Sequence, residues 1–363
     1  MFIRKGLPGL LFLSLLITGG FAAAGPQGMR AGNIHLVLNP YGDIDWQVFQ
    51  QHKANFHTHT TESEGEMSPA GVIDKYLDHG YTVLALTDHN ICTYPWEKFN
   101  RIPSSLGMVA VAGTEHSCPH HVVSLFCKYE PEQHHDLDPV LEGIREKKGL
   151  AILCHPGEYW MPDFLSHHVP EKVAKEYTGI FRKHSPYLLG MEIFNSGYRW
   201  RFDPILWDEL LTELMPDRPV WGFAADDMHY SWQTGRDWNI LVMPALTEKD
   251  ARESMEKGRF YFSTLGTHGH KEKDVEGTPV IKSIVHDPKA GTITIYATDR
   301  GKPVAVENCR WISGGKVVHT GLSVNYRAIN LPAAYIRAEL TGSGGTTFTN
   351  PFGFDSMPRR VTR

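Results

Sequence analysis

Histidines and carboxylates recur at the ends of apolar runs along this chain, residue types that can hold a cation or move protons. His57 and His59 make an H-x-H in ANFHTHTTESEG, and Asp88 and His89 follow YTVLALT. Glu115 and His116 follow MVAVAGT, while His120 and His121 precede VVSLF. His155 follows LAILC, Asn195 follows GMEIF, and Asp226, Asp227 and His229 follow VWGFAA. Imidazole and carboxylate are what Zn²⁺ or Mn²⁺ accept, with Fe²⁺ as a further option. A set of buried, unpaired ionisable groups is costly unless a cation neutralises it. Each stretch alone has a plainer use: Asp88 as a helix cap, His155 in CHPG as a turn residue. Their repetition at the same end of successive strands is what points to a metal.

Such an arrangement requires strands that share a direction. From residue 52 to 268, apolar runs alternate with amphipathic stretches such as SPAGVIDKYLDHG, DPVLEGIREKKG, PEKVAKEYTGIFRK and TEKDARESMEKG. The first has Ser68 as an N-cap, Pro69 in its first turn and Gly80 at its end. Near-continuous apolar strands between helices predict parallel pairing with both faces covered. At least seven such units predict an α/β fold, a distorted (β/α)7 TIM-like barrel, whose strand C-termini ring one cavity. No G-x-G-x-x-G follows the first strand, which argues against a dinucleotide-binding sheet. From 275 to 363, TITIYATD, CRWIS, KVVHT and YIRAEL alternate apolar with polar between glycine-rich turns, predicting a small antiparallel β-sandwich domain.

Residues 1–24 combine Arg4 and Lys5, the apolar LLFLSLLIT and the small-residue FAAAG, the order of a secretory signal peptide. The expectation is a periplasmic or secreted protein with no stable membrane insertion after cleavage, and with residues 25–51 as a lead-in. Losing Arg4 and Lys5 and no acid takes the formal net charge from −5 to −7. That balance argues against a nucleic-acid partner and leaves a small-molecule substrate. The five scattered cysteines are no disulfide framework, although Cys118 and Cys127 could pair. Cys154, inside an apolar run, is expected as a buried small hydrophobe.

The ordered set HTHTTESEG, TDHN, GTEHS, the histidine before VVSLF, CHPG and DDMH resembles the motifs of the polymerase and histidinol phosphatase (PHP) metal-dependent phosphoesterases. The resemblance covers about residues 52–265. It implies the distorted seven-unit barrel and two or three divalent ions. Carried over by position, the ligands would be His57, His59, Glu64, His89, Glu115, His121, His155, Asp227 and His229, with Glu115 bridging two ions. One departure stands in the first motif, where the family has S-D-G and this chain Ser63-Glu64-Gly65, which sets the carboxylate one methylene further out. Register against the following strand favours His121 over His120. GRFYFST, YIRAEL and TNPF resemble the secreted two-domain PHP proteins, among whose relatives are carbaryl hydrolases that cleave a carbamate ester.

The leading expectation is a phosphoesterase, a phosphoric ester hydrolase in which a metal-bridging hydroxide attacks the ester. The alternatives are hydrolysis of a carbamate, carboxylic ester or amide at the same ligands, and a non-catalytic metal-holding binding protein. Arg199, Arg201 and Arg236 are candidates to hold a phosphate bidentately, and Asn195 to orient substrate. His116 and His229 are candidates to protonate a leaving group, and Asp226 to support a ligating histidine. Tyr159–Trp160, Tyr198–Trp200 and Tyr230–Trp232 could stack on a planar or sugar-like group.

Overall fold

A computed structural model of the chain describes residues 34–131, 136–160, 168–266 and 275–355; the signal-peptide reading of residues 1–24 lies outside them. Ten strands come first: β1 (His35–Leu38), β2 (Gln50–Asn55), β3 (Val83–Leu86), β4 (Val109–His116), β5 (Val122–Leu125), β6 (Leu150–Leu153), β7 (Leu188–Asn195), β8 (Trp221–Ala225), β9 (Asp237–Met243) and β10 (Phe260–Thr264). Between them lie α1 (Pro69–Asp78), α2 (Pro103–Leu106), α3 (Leu137–Glu146), α4 (Gly157–Trp160), α5 (Glu171–Lys183), α6 (Asp203–Leu214) and α7 (Glu248–Glu256). α1 starts as its sequence requires, with Ser68 Oγ accepting from Gly71 N at 3.3 Å and proline in the first turn.

β2, β3 and β4 pair in parallel, as do β6, β7 and β8. β5 runs antiparallel to both neighbours, and β9 antiparallel to β2 and β10. The all-parallel expectation therefore fails at two strands. At β5 the cause is chain length: only Ser117–His121 separates it from β4, room for a hairpin but not for a crossover helix. The ladder does not close into a barrel by strand pairing, because β8 stands at its end. Asn239 of β9 joins the gap, donating to Ala224 O at 2.8 Å and accepting from Ala224 N at 3.1 Å. Past the strand ends, Asp227 N donates to His57 O (3.1 Å) and His59 N to Met228 O (3.0 Å). The fold shown is thus a mixed α/β sheet with parallel segments and a C-terminal β region.

Side chains of alternate parity line the inside of the curved sheet. Val83, Ala85, Val109, Val111, Ile152 and Phe223 form one core there, while Leu84, Leu86 and Ala110 pack outward under α1 with Val72, Ile73 and Tyr76. α6 is absent from the sequence reading. It carries Leu206, Trp207, Leu210, Leu211 and Leu214 at helical spacing, opposite the exposed Glu209 and Glu213, and it also buries Asp203 and Asp208.

The C-terminal strands are β11 (Val280–Asp287), β12 (Thr292–Asp299), β13 (Lys302–Pro303), β14 (Cys309–Ser313), β15 (Lys316–Thr320), β16 (Ser323–Asn325), β17 (Tyr335–Thr341), β18 (Thr346–Thr349) and β19 (Phe352–Asp355). β11, β12, β13 and β16 form a separate four-stranded sheet. β14, β15, β17, β18 and β19 instead continue the large sheet, through β18 paired to β10, and β1 closes its far edge on β19. The two sheets enclose a core around Ile281, Ile293, Trp311, Ile336 and Phe352. All five cysteines are free and buried, Cys118 and Cys127 included.

α6 is tied to this region by a buried ion pair. Arg337 of β17 donates through Nε and Nη2 to the two oxygens of Asp208 at 2.8 and 2.7 Å. Removing one partner strands a buried charge, at a cost of about 3–5 kcal/mol. Arg337→Met is expected to lower unfolding stability by that amount in a urea titration, and Arg337→Met with Asp208→Leu to recover most of it.

Candidate metal centre

Glu115 is the hub. It occupies the penultimate position of β4, with the same parity as Val109 and Val111, so its carboxylate enters the interior and is about 1% exposed. Oε2 lies 3.1 Å from His57 Nε2, 3.2 Å from His59 Nε2 and 3.1 Å from His89 Nδ1. Oε1 lies 3.0 Å from His121 Nδ1 and 3.3 Å from His155 Nε2. One carboxylate thus meets five imidazoles. His121 reaches it because β5 is reversed: its first residues, not its last, stand at the rim where the parallel strands end.

Two further carboxylates complete the cluster. Asp227 Oδ1 lies 3.1 Å from His59 Nε2 and 3.3 Å from His57 Nε2. Glu64 Oε1 lies 3.0 Å from His59 Nδ1, 3.3 Å from His89 Nε2 and 3.1 Å from His229 Nε2. Its side chain is 43% exposed, so the longer glutamate stands at the open edge and still meets the imidazoles. The sets His57/His59/Asp227, His57/Glu115/His155, His89/Glu115/His121 and His59/Glu64/His89/His229 each bring their ligand atoms within 4.8 Å of one another.

The donor set fits divalent ions. His57 Nε2 and His59 Nε2 face each other at 3.2 Å, a spacing one N–H bridges to the other's lone pair and at which a cation accepts both lone pairs. Glu115 Oε2 is buried without a hydrogen bond of good geometry, which leaves it available as a ligand.

Ionisation follows from the crowding. Burial opposes a charged imidazole at His57, but the carboxylates of Glu115, Glu192 and Asp227 outweigh it and hold its pKa well above the ordinary value. The same opposition brings His155 up to about 10, through Glu115 and Glu158. Burial would raise Glu115, yet the surrounding imidazoles hold it well below the usual carboxylate range. Glu64 comes down to about 2, with His59 and His89 overcoming its partial burial. Protons stand here where metal would bind.

The local backbone is built for this. Gly65 donates to Thr60 O at 2.9 Å, and a Cβ on it would meet the His59 carbonyl at 2.7 Å, so the SEG turn closes tightly behind Glu64. Asp88 caps the same loop rather than a helix, accepting from Thr60 N (2.7 Å), Thr60 Oγ1 (2.8 Å), Ser63 Oγ (2.7 Å) and Thr93 Oγ1 (2.5 Å). His155 and Asp227 have left-handed backbones (φ 28° and 45°), a strain typical of functional sites. Glu192 steadies the first by accepting from His155 N at 3.1 Å.

Several residues stand elsewhere than expected. His116 has the opposite parity to Glu115 on a pleated strand. It faces away from the cluster, with Nε2 2.9 Å from Ser124 Oγ and its ring against Tyr129. Asn195 is buried and donates to Glu192 Oε2 at 2.9 Å, so it braces a carboxylate behind the cluster rather than a substrate. Asp226 accepts from the backbone of Gly235, Arg236 and Asp237 at 2.7, 2.7 and 3.0 Å, not from a ligating histidine. Arg236 is buried with its guanidinium over Trp232, and Arg201 lies over its neighbour Phe202. Arg199 is exposed; after the His155 hydrogen bond, its charge is among the lesser influences that hold Glu158 below the ordinary carboxylate range. His120 bonds Tyr177 OH through Nδ1 at 2.8 Å, outside the cluster.

Sequence reasoning missed Glu192. It accepts from His57 Nδ1 at 2.7 Å, so that when His57 loses a proton to ligate, the one it keeps is on Nδ1 and the Nε2 lone pair faces the cluster. The available signal was a lone acid inside the otherwise apolar β7. Glu158, with an oxygen 2.9 Å from His155 Nδ1, is an ion-pair partner of the second histidine. Cys154 keeps its proton, burial pushing its thiol pKa well up.

No family model and no curated protein matches the chain. Solved structures with some likeness include a two-domain protein from Bacteroides vulgatus described as containing a predicted PHP-like metal-dependent phosphoesterase. It is 16% identical over 88% of this chain and 90% of that one, with a TM-score of 0.46. An amidohydrolase from Chromobacterium violaceum is 15% identical over 49% and 87%, with a TM-score of 0.39. A lesion-specific endonuclease from Pyrococcus furiosus is 12% identical over 57% and 56%, also at 0.39. Likeness this loose carries no functional argument; the cluster's own geometry does.

Two outcomes follow. Glu192→Gln is expected to weaken metal binding about 10- to 100-fold by calorimetry while leaving the fold intact by circular dichroism, the usual effect of losing a partner behind a ligating histidine. The second concerns pH. A group with a raised folded pKa stabilises fully below its unfolded value and loses that contribution as pH rises through the folded one. With His155 moving from 6.5 to about 10, the melting temperature of chelator-treated protein should fall between about pH 6.5 and 10. Added metal, which replaces the protons, should flatten that slope.

Proposed function

We propose that this chain is a metal-dependent hydrolase of the PHP kind, acting as a phosphoesterase on a small extracytoplasmic substrate. The observation that carries the reading is Glu115, with its two oxygens shared among five imidazoles drawn from the ends of four strands. Glu115 would serve two ions: one with His57, His59 and Asp227, and a second with His121 and His155; Glu64, His89 and His229 would hold a third. Zn²⁺ or Mn²⁺ suits this mixture of nitrogen and oxygen donors. Divalent ions bound there supply Lewis acidity, activating water and neutralising charge that builds on the ester's oxygens.

Were the third ion absent, His229 would be the residue suited to hand a proton to a leaving group instead of ligating. Its side chain is 27% exposed at the rim, and Nδ1 is fixed 3.0 Å from Asp227 O. Arg199, exposed with its guanidinium over the Trp200 ring and acting on Glu158 beside His155, supports a role in meeting a phosphate oxygen. A carbamate or carboxylic ester is the second reading, favoured by the packing of Arg236 and Arg201 over rings, which leaves few cations at the rim for a phosphate dianion. The signal-like residues 1–24 support an extracytoplasmic location, and the acidic chain supports a small-molecule substrate rather than nucleic acid.

The test uses chelator-stripped protein restored with Mn²⁺ or Zn²⁺ and offered a phosphomonoester, a phosphodiester, an aryl acetate and an aryl carbamate. Metal-dependent phosphate release is expected, falling more than about 100-fold in Glu115→Gln, beyond what losing an outer partner causes. Turnover of the carbonyl substrates alone would select the second reading.

A further inference from the structure

Tyr230 is one of the few large side chains left open: 53% exposed, in the turn that begins at His229. Exposed tyrosines are ordinarily mobile, but the backbone of this turn is pinned. Gln233 Oε1 accepts from both His229 N (2.8 Å) and Tyr230 N (2.7 Å), and Glu66 Oε1 accepts from Ser231 N at 2.6 Å. Glu66 N in turn donates to His229 O at 2.8 Å. The ring lies parallel to Trp232, with centroids 6.3 Å apart and 10° between planes, and the guanidinium of the buried Arg236 sits 4.9 Å from the Trp232 ring. The spacing is within the offset-stacked range, and a cation against an indole face is favourable.

The outcome is a ladder of guanidinium, indole and phenol that starts in the protein interior and ends in solvent beside a ligand histidine. Were these aromatics only packing under a loop, the outermost ring would be covered. Instead it is left open on a hydrogen-bonded backbone and against Trp232, which is the preorganisation that stacking recognition requires.

We infer that Tyr230, braced by Trp232 and Arg236, is the platform on which a planar aryl or heteroaryl group of the substrate stacks. This rests on the hydrolase reading and narrows its substrate class to esters with a flat ring next to the scissile bond. Tyr230 acts on specificity and touches no reacting atom.

The experiment separates flatness from greasiness. Phenylphosphonate and cyclohexylphosphonate, which resist hydrolysis, are titrated calorimetrically into metal-loaded full-length protein. The expected result is phenylphosphonate binding about tenfold tighter, the size of a good aromatic pair. That ratio should fall close to one in Tyr230→Ala and persist in Tyr230→Phe. An unchanged ratio in Tyr230→Ala overturns the inference, and so does an equal loss for both ligands, the mark of a merely structural residue. Lack of a phenyl preference in the wild type, including no binding of either ligand, overturns it too. Metal dependence of ester turnover, measured separately, reports on the hydrolase reading, so the two can fail independently.

Discussion

A carboxylate buried at the strand ends, surrounded by five imidazoles, is the constraint the rest of the structure serves. Taking Glu115 and its partners out of water costs several kcal/mol per charge, and the cluster persists only because each charge has an opposite neighbour within about hydrogen-bonding distance. Protons supply the positive charge in the free chain, divalent ions in the loaded one. Either way the ligands must arrive from many places at once, and that requirement explains the sheet. β2, β3, β4, β6 and β8 end on one rim, and the loops past them deliver His57, His59, His89, His155 and Asp227.

The departures from an ideal barrel serve the same end. Reversing β5 places a strand start on the rim and brings His121 within 3.0 Å of Glu115. The gap between β8 and β9 is joined at one level by Asn239 and at another by hydrogen bonds between the 57–59 and 227–228 segments. Those last bonds hold His57, His59 and Asp227 together directly. Behind them a layer of acids does the aiming: Glu192 fixes His57, Glu158 fixes His155 and Asp88 fixes the loop that presents Glu64.

Much of this was legible in the sequence, for a physical reason. A strand end is marked by an apolar run, and a ligand is marked by its chemistry, so H-x-H or Asp-x-His after such a run can be recognised without coordinates. Parity was also available: Glu115 and His116 are adjacent, so only one can face the interior, and the apolar positions Val109 and Val111 name which. Other features depend on contacts between distant segments. Arg236 looked like a rim residue because it follows His229 closely, but the turn at 231–236 folds it under Trp232. Glu192 hid in a strand because its partner is 135 residues away. The direction of β5 could have been inferred from its five-residue connection. The merging of β14–β19 with the large sheet could not, since an alternating strand carries no sign of which edge it joins.

The most direct test of the account is the number of divalent ions the chain retains. Protein stripped with chelator, reloaded, desalted and analysed by elemental mass spectrometry should hold two or three ions per chain. Glu115→Ala, which removes the carboxylate shared by the five imidazoles, should hold at most one. Retention of the same number with and without Glu115, or of none in the intact chain, would contradict the claim that this cluster is a metal centre organised on one carboxylate.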